Sequence, residues 1–150
     1  METSNKTLFK NAGYYLPQKP PMMLVDRVIS SNIESYIVTE KYVSSTDSYL
    51  KGHFPNHPVV PGTVLLEMML QSCGVLLTLI NKKENGDGVE PGLGHVVKLK
   101  SSLFIHEVKP KDVVRFECSL KSSFLNFTDF SVVAKVKDRI VSKAEFVLAV

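Results

Sequence analysis

A chain of 150 residues, 44% hydrophobic and 22% charged, can bury one core without disulfides or metals, so residues 1–150 read as a single domain. Its 18 basic and 15 acidic residues leave a net charge of +3 with no basic run of five or more. That excludes a phosphate-tracking stripe and speaks against nucleic acid as a partner.

The opening METSNKTLFK has no apolar core behind a basic end, so the expected setting is the cytosol. After the proline-rich PQKPP come two β-rich runs, 23–30 and 33–43, separated by SSN, and they read as a hairpin. SSTDSYL at 44–50 reads as a loop with one helical turn. KGHFPNHPVVPG at 51–62 cannot form a regular helix, because Pro55, Pro58 and Pro61 lack backbone donors and push the residues before them towards extended geometry.

From Thr63 to Ile80 the run TVLLEMMLQSCGVLLTLI holds no proline and one glycine, which predicts a helix. It is apolar over most of its circumference and therefore has to be surrounded by protein. As a membrane span it is short, and Glu67 and Gln71 make it polar, so no membrane partner is expected. Its polar positions, Thr63, Glu67, Gln71, Gly74 and Thr78, fall on one narrow stripe.

Beyond the loop NKKENGDGVEPG, four strand-like runs follow. Val114, Phe116, Cys118 and Leu120 share one face of the second, Phe130, Val132, Ala134 and Val136 one face of the third, and Ala144, Phe146 and Leu148 one face of the last. This alternation belongs to antiparallel strands with one wet face. A helix apolar nearly all round needs a sheet that curls about it. The fold class is therefore α+β, a curved antiparallel sheet of about six strands around one long central helix. Cys73 and Cys118 lack any CxxC spacing and read as buried thiols.

Glu67 is the anomaly, since a carboxylate in an apolar helix needs compensation. A hydrogen bond to Gln71 one turn on, exposure along a cleft, or service as a catalytic acid would each supply it. His53 and His57 lie in the proline-stiffened loop that feeds this helix. The prolines exclude an HxxxH helix, so metal binding is not expected. His95 and His106 read as structural. At Pro61-Gly62-Thr63 the helix start offers unpaired N–H donors, and Gly62 either admits a ligand close to the backbone or only permits the turn. A base, an acid and an oxyanion donor so close in sequence suit proton abstraction beside a carbonyl with loss of a leaving group.

GHFPNHPVVPGTVLLEMMLQ at 52–71, with MLVDRV at 23–28, resembles the bacterial 3-hydroxyacyl-(acyl carrier protein) dehydratase family. The pattern is a Gly-His-Phe-Pro loop, a second histidine four residues on, Pro-Gly at the helix start and an acid fourteen residues after the first histidine. The resemblance runs from about residue 15 to residue 150 and implies a hotdog fold. It also implies a homodimer with shared active sites; hexamers are common in the family, but no residue here requires one. In its terms His53 takes the α-proton of a 3-hydroxyacyl thioester, and Glu67 of the partner subunit protonates or orients the departing hydroxyl. The Gly62 amide holds the thioester oxygen, and the Val59 carbonyl orients the imidazole. Phe54, Leu66, Leu70 and Gln71 bind substrate, no cofactor is needed, and acyl carrier protein is the partner. Glutamate at 67 and Thr63 after Gly62 resemble the dehydratase-only branch.

The chain departs from the family pattern at Asn56, at PQKPP and at SSLFIH, residues 101–106. The last stands where the family carries several basic residues. Lys98, Lys100, Lys109 and Lys111 become the candidate docking residues, and the drift points towards a specialised lipid pathway of polyene type. The rivals are a hotdog thioesterase and a non-catalytic acyl-binding subunit.

Overall fold

Alternating apolar positions in the second half of the chain build most of one antiparallel sheet in a computed structural model, which describes residues 10–150. The expectation drawn from METSNKTLFK lies almost wholly outside those residues. Among the described residues the sheet has seven strands in the order β1-β2-β3-β5-β6-β7-β4. They are β1 (Lys10–Asn11), β2 (Arg27–Asn32), β3 (Tyr36–Tyr42), β4 (His95–Phe104), β5 (Val113–Phe124), β6 (Phe127–Val136) and β7 (Arg139–Ala149). Six are substantial, as expected; β1, two residues long, was not legible in the sequence.

The first hairpin is shorter than the sequence suggests, and hydrogen bonding explains it. Residues 23–25 lie outside the ladder: the Leu24 amide donates to the side chain of Gln71 at 2.8 Å instead of to a strand. Pairing with β3 begins only at Arg27. A 3-10 turn over Ser48–Leu50 supplies the single helical turn expected after β3.

The central helix α1 (Gly62–Asn85) starts after Pro61 and runs five residues past Ile80. Its extension, NKKEN, is polar and fits a helix end in solvent, with Lys82 and Lys83 placed favourably against the dipole. Gly86, at φ 98°, ends it in a conformation that glycine adopts without a Cβ clash. By length and composition α1 could cross a membrane, yet 56% of its most apolar window is buried inside the protein.

Val114, Phe116 and Cys118 of β5, Phe130, Val132 and Ala134 of β6, and Ala144, Phe146 and Leu148 of β7 are all buried, as predicted. They enclose Met68, Met69, Cys73, Val75 and Leu76 of α1. Each buried phenylalanine stabilises the fold by roughly 1.5–3 kcal/mol. Cys73 and Cys118 are free and buried. Burial, followed by the neighbouring Cys118, pushes the Cys73 thiol well above its ordinary range.

Among the described residues the sheet ends on β4, which pairs only with β7. All ten of its residues are exposed, including Val96, Val97, Leu99, Leu103 and Phe104. A long apolar edge of this kind is a template for another strand.

Candidate active site

Between the Ser48–Leu50 turn and α1 the chain forms a small closed loop. It enters through Gly52 at φ 79° and has a cis bond between His53 and Phe54. The Phe54 and His57 amides donate to each other's carbonyls at 2.9 and 3.0 Å, and the Val59 amide donates to the His53 carbonyl at 2.9 Å. Inside this frame His53 Nδ1 lies 2.9 Å from the Val59 carbonyl oxygen. A carbonyl only accepts, so Nδ1 is the donor, and in the neutral ring the lone pair is on Nε2. The ring stacks on Phe54, with centroids 4.4 Å apart. His53 is half-buried and Phe54 exposed.

Glu67 is also half-buried, one face of α1 carrying it to solvent-accessible space. Its Oε1 accepts from Gln71 Nε2 at 3.0 Å. Gln71, only 2% exposed, also donates to the Met22 carbonyl at 2.7 Å and accepts from Leu24. Both amide atoms are thereby engaged, and Gln71 acts as a strut between α1, Glu67 and the segment before β2. Within one chain no hydrogen bond joins His53 to Glu67.

Among the described residues the amides of Gly62 and Thr63 meet no acceptor, as first-turn donors commonly do not. The space above the Gly62 Cα is occupied, however. A Cβ there would lie 3.2 Å from Cε1 of Phe104. Glycine therefore accommodates this ring of the same chain, a contact the sequence did not reveal.

The polar stripe lines a cavity. Glu67, Gln71, Gly74 and Thr78 face a space of about 650 Å³, with Leu70 and Leu77 beside them and Leu16, Val96 and Leu148 among the opposing residues. From Glu67 to Thr78 the helix covers about 16 Å at its usual rise. A smaller space of about 350 Å³ is bounded by Thr63, Val64, Glu67, Met22, Leu24 and Tyr49. Glu67 thus borders both. Leu66 borders neither and packs against the core. Burial and the Asp47 carboxylate, which accepts from the Tyr49 hydroxyl at 2.7 Å, push that phenol above its ordinary range.

The remaining sequence candidates are dispersed. His57 Nε2 lies 2.9 Å from Glu107 Oε2, while His95 and His106 are exposed. Lys100 is paired with Asp129, and Lys109 lies 4.0 Å from Glu107. Among the described residues no cluster of three or more His, Cys, Asp or Glu is placed to hold a metal ion.

One helix wrapped by one curved antiparallel sheet, with a histidine loop and an acid on the helix, defines a hotdog-fold protein. The FabA-like domain family model matches residues 16–145, and the chain belongs to that family. It is 35% identical over 130 residues to the 3-hydroxyacyl-(acyl-carrier-protein) dehydratase FabZ of Alkalilimnicola ehrlichii, covering 87% of this chain and 82% of that one. It is 35% identical over 135 residues to the same enzyme of Saccharophagus degradans, covering 90% and 91%. Among solved structures, the dehydratase heterocomplex ApeI:P from Xenorhabdus doucetiae matches with TM-score 0.81 at 19% identity, over 93% of this chain and 90% of that one. A hypothetical thioesterase from Streptococcus pneumoniae matches with TM-score 0.59 at 16% identity, over 77% of each chain. At these identities the structural likenesses establish the fold.

Proposed function

We propose that the chain is a 3-hydroxyacyl-(acyl carrier protein) dehydratase working in the cytoplasm, whose site is completed by a second copy of itself. The observation that carries this reading is the Nδ1–Val59 contact of 2.9 Å, which leaves His53 Nε2 as a free base. Nε2 removes the α-proton of the bound 3-hydroxyacyl thioester. Charge moves onto the thioester oxygen, where the Gly62 amide receives it. Glu67 of the partner subunit protonates the β-hydroxyl, the C–O bond breaks, and water and a trans-2-enoyl thioester leave. The proton taken by His53 is then returned to the carboxylate through solvent, so the cycle needs no cofactor.

Phe54 and Leu70 border the acyl path, Leu70 along the cavity and Phe54 against the base. Gln71 supports Glu67, and Leu66 backs the helix from the core side. The exposed edge of β4 is the surface for the second copy: two such edges pair without new geometry and cover their apolar residues. A hexamer would repeat this dimer. Carrier-protein docking falls to Lys98 and Lys111 in preference to Lys100 and Lys109, whose ammonium groups already lie near carboxylates.

The test is hydration of 2-enoyl thioesters, followed as loss of enoyl absorbance across a series of carrier-protein substrates. Thiol release with unchanged enoyl absorbance would identify a thioesterase instead. Neither signal with any chain length would leave an acyl-binding subunit.

A further inference from the structure

The His53 loop has a tether that the reaction above does not use. Its base is held where the Val60 amide donates to the Val108 carbonyl at 2.8 Å. Its tip is held by one side-chain pair, His57 Nε2 to Glu107 Oε2 at 2.9 Å. Glu107 follows a segment that is itself fixed, because the Ile105 and His106 amides both donate to the Val141 carbonyl of β7, at 2.8 and 3.2 Å. Between tip and base, the reciprocal Phe54–His57 amide bonds make the loop a closed unit. A displacement of His57 therefore reaches Phe54 and the His53 ring stacked on it.

Resting on the dehydratase reading, we infer that Glu107 is a positioning residue for His53, acting through His57. The pair is exposed on both sides, at 57% and 53%, and exposed pairs add little to folding stability. Placement of a base is far more sensitive, since small errors in the approach of reacting atoms lower turnover steeply. Losing this contact therefore affects turnover and leaves folding nearly unchanged. Lys109 Nζ, 4.0 Å from the same carboxylate oxygen, also faces Glu107. It cannot replace His57, because it sits on Glu107's own segment and does not span to the loop.

The experiment compares wild type, Glu107→Ala and Glu107→Gln by steady-state kinetics, urea unfolding and amide hydrogen exchange of residues 52–60. Glu107→Ala is expected to lower kcat on the order of tenfold, short of the roughly hundredfold that about 1 Å of misplacement costs. KM and the unfolding midpoint stay near wild type, and the loop amides exchange faster. Glu107→Gln keeps an acceptor for His57 and restores both turnover and protection. Equal turnover in Glu107→Ala and wild type overturns the inference. So does a loss that Glu107→Gln shares, because the charge and not the tether would then be responsible. If wild type shows no dehydratase activity, the functional reading fails separately. Loop exchange unchanged by Glu107→Ala overturns the tether even then, and faster exchange supports it.

Discussion

His53 Nδ1 and the Val59 carbonyl oxygen stand 2.9 Å apart, and this contact decides which ring nitrogen can act as a base. If Nε2 is that base, His53→Ala should lose about 10²–10⁴ in kcat, the usual contribution of general base catalysis. Its unfolding midpoint should move little, because the ring is only half-buried. The enoyl absorbance assay measures the first effect and urea unfolding the second. A variant that still turns over at the wild-type rate would place the base elsewhere.

Gln71 and Glu67 should separate stability from chemistry. Gln71→Leu removes the partner of the Leu24 amide, in a buried residue, and a group left unpaired and buried costs about 1–3 kcal/mol. Urea titration should show a clear loss of stability. Glu67→Gln keeps the shape and should unfold like wild type while losing most of its turnover. Equal stability of Gln71→Leu and wild type would show that the strut is dispensable.

Gly62→Ala brings a Cβ to 3.2 Å from the Phe104 ring, so the ring or the helix start has to shift. We expect reduced turnover in this variant and partial restoration when Phe104→Leu is added, because the smaller side chain clears the space. A double-mutant cycle on kcat/KM measures the coupling. Strict additivity would mean that the ring yields without consequence.

His53→Ala and Glu67→Gln proteins, each inactive alone, should regain activity when their subunits are exchanged. In a two-fold dimer with random mixing, half the dimers are mixed and one of their two sites is intact, giving roughly a quarter of wild-type activity. Light scattering confirms the assembly, and a tagged copy confirms exchange. No recovery after proven exchange would put both groups in one chain.

The Cys73 thiol gives a pH signature. Burial raises its folded-state pKa above that of the unfolded chain. Its stabilising contribution is therefore complete below the unfolded thiol range and declines as pH rises above about 8.5. Urea midpoints compared between about pH 7 and pH 9.5 should fall more in wild type than in Cys73→Val, which has no thiol to ionise. Parallel declines would mean that other groups carry the effect.

Periodicity made the core legible: Phe116, Phe130 and Phe146 are buried where alternation placed them, because apolar burial governs strand register. The start of α1 was legible because Pro61 and Gly62 punctuate the chain there. Its end was not, since Asn81–Asn85 is polar and helical persistence into solvent leaves no apolar trace. Within the site, helical spacing held the Glu67–Gln71 contact, four residues apart, and the family resemblance implied the His53–Val59 contact, six residues apart. The Gly62–Phe104 and His57–Glu107 contacts were hidden. They join residues 42 and 50 positions apart, and only the return of the chain from β4 brings them together.

Phe104 is the last residue of β4 and also the ring seated on the first residue of α1. The open edge of the sheet and the opening turn of the helix therefore lean on one side chain. Formation of the dimer proposed above would therefore bear, through Phe104, on the turn that carries the Gly62 amide.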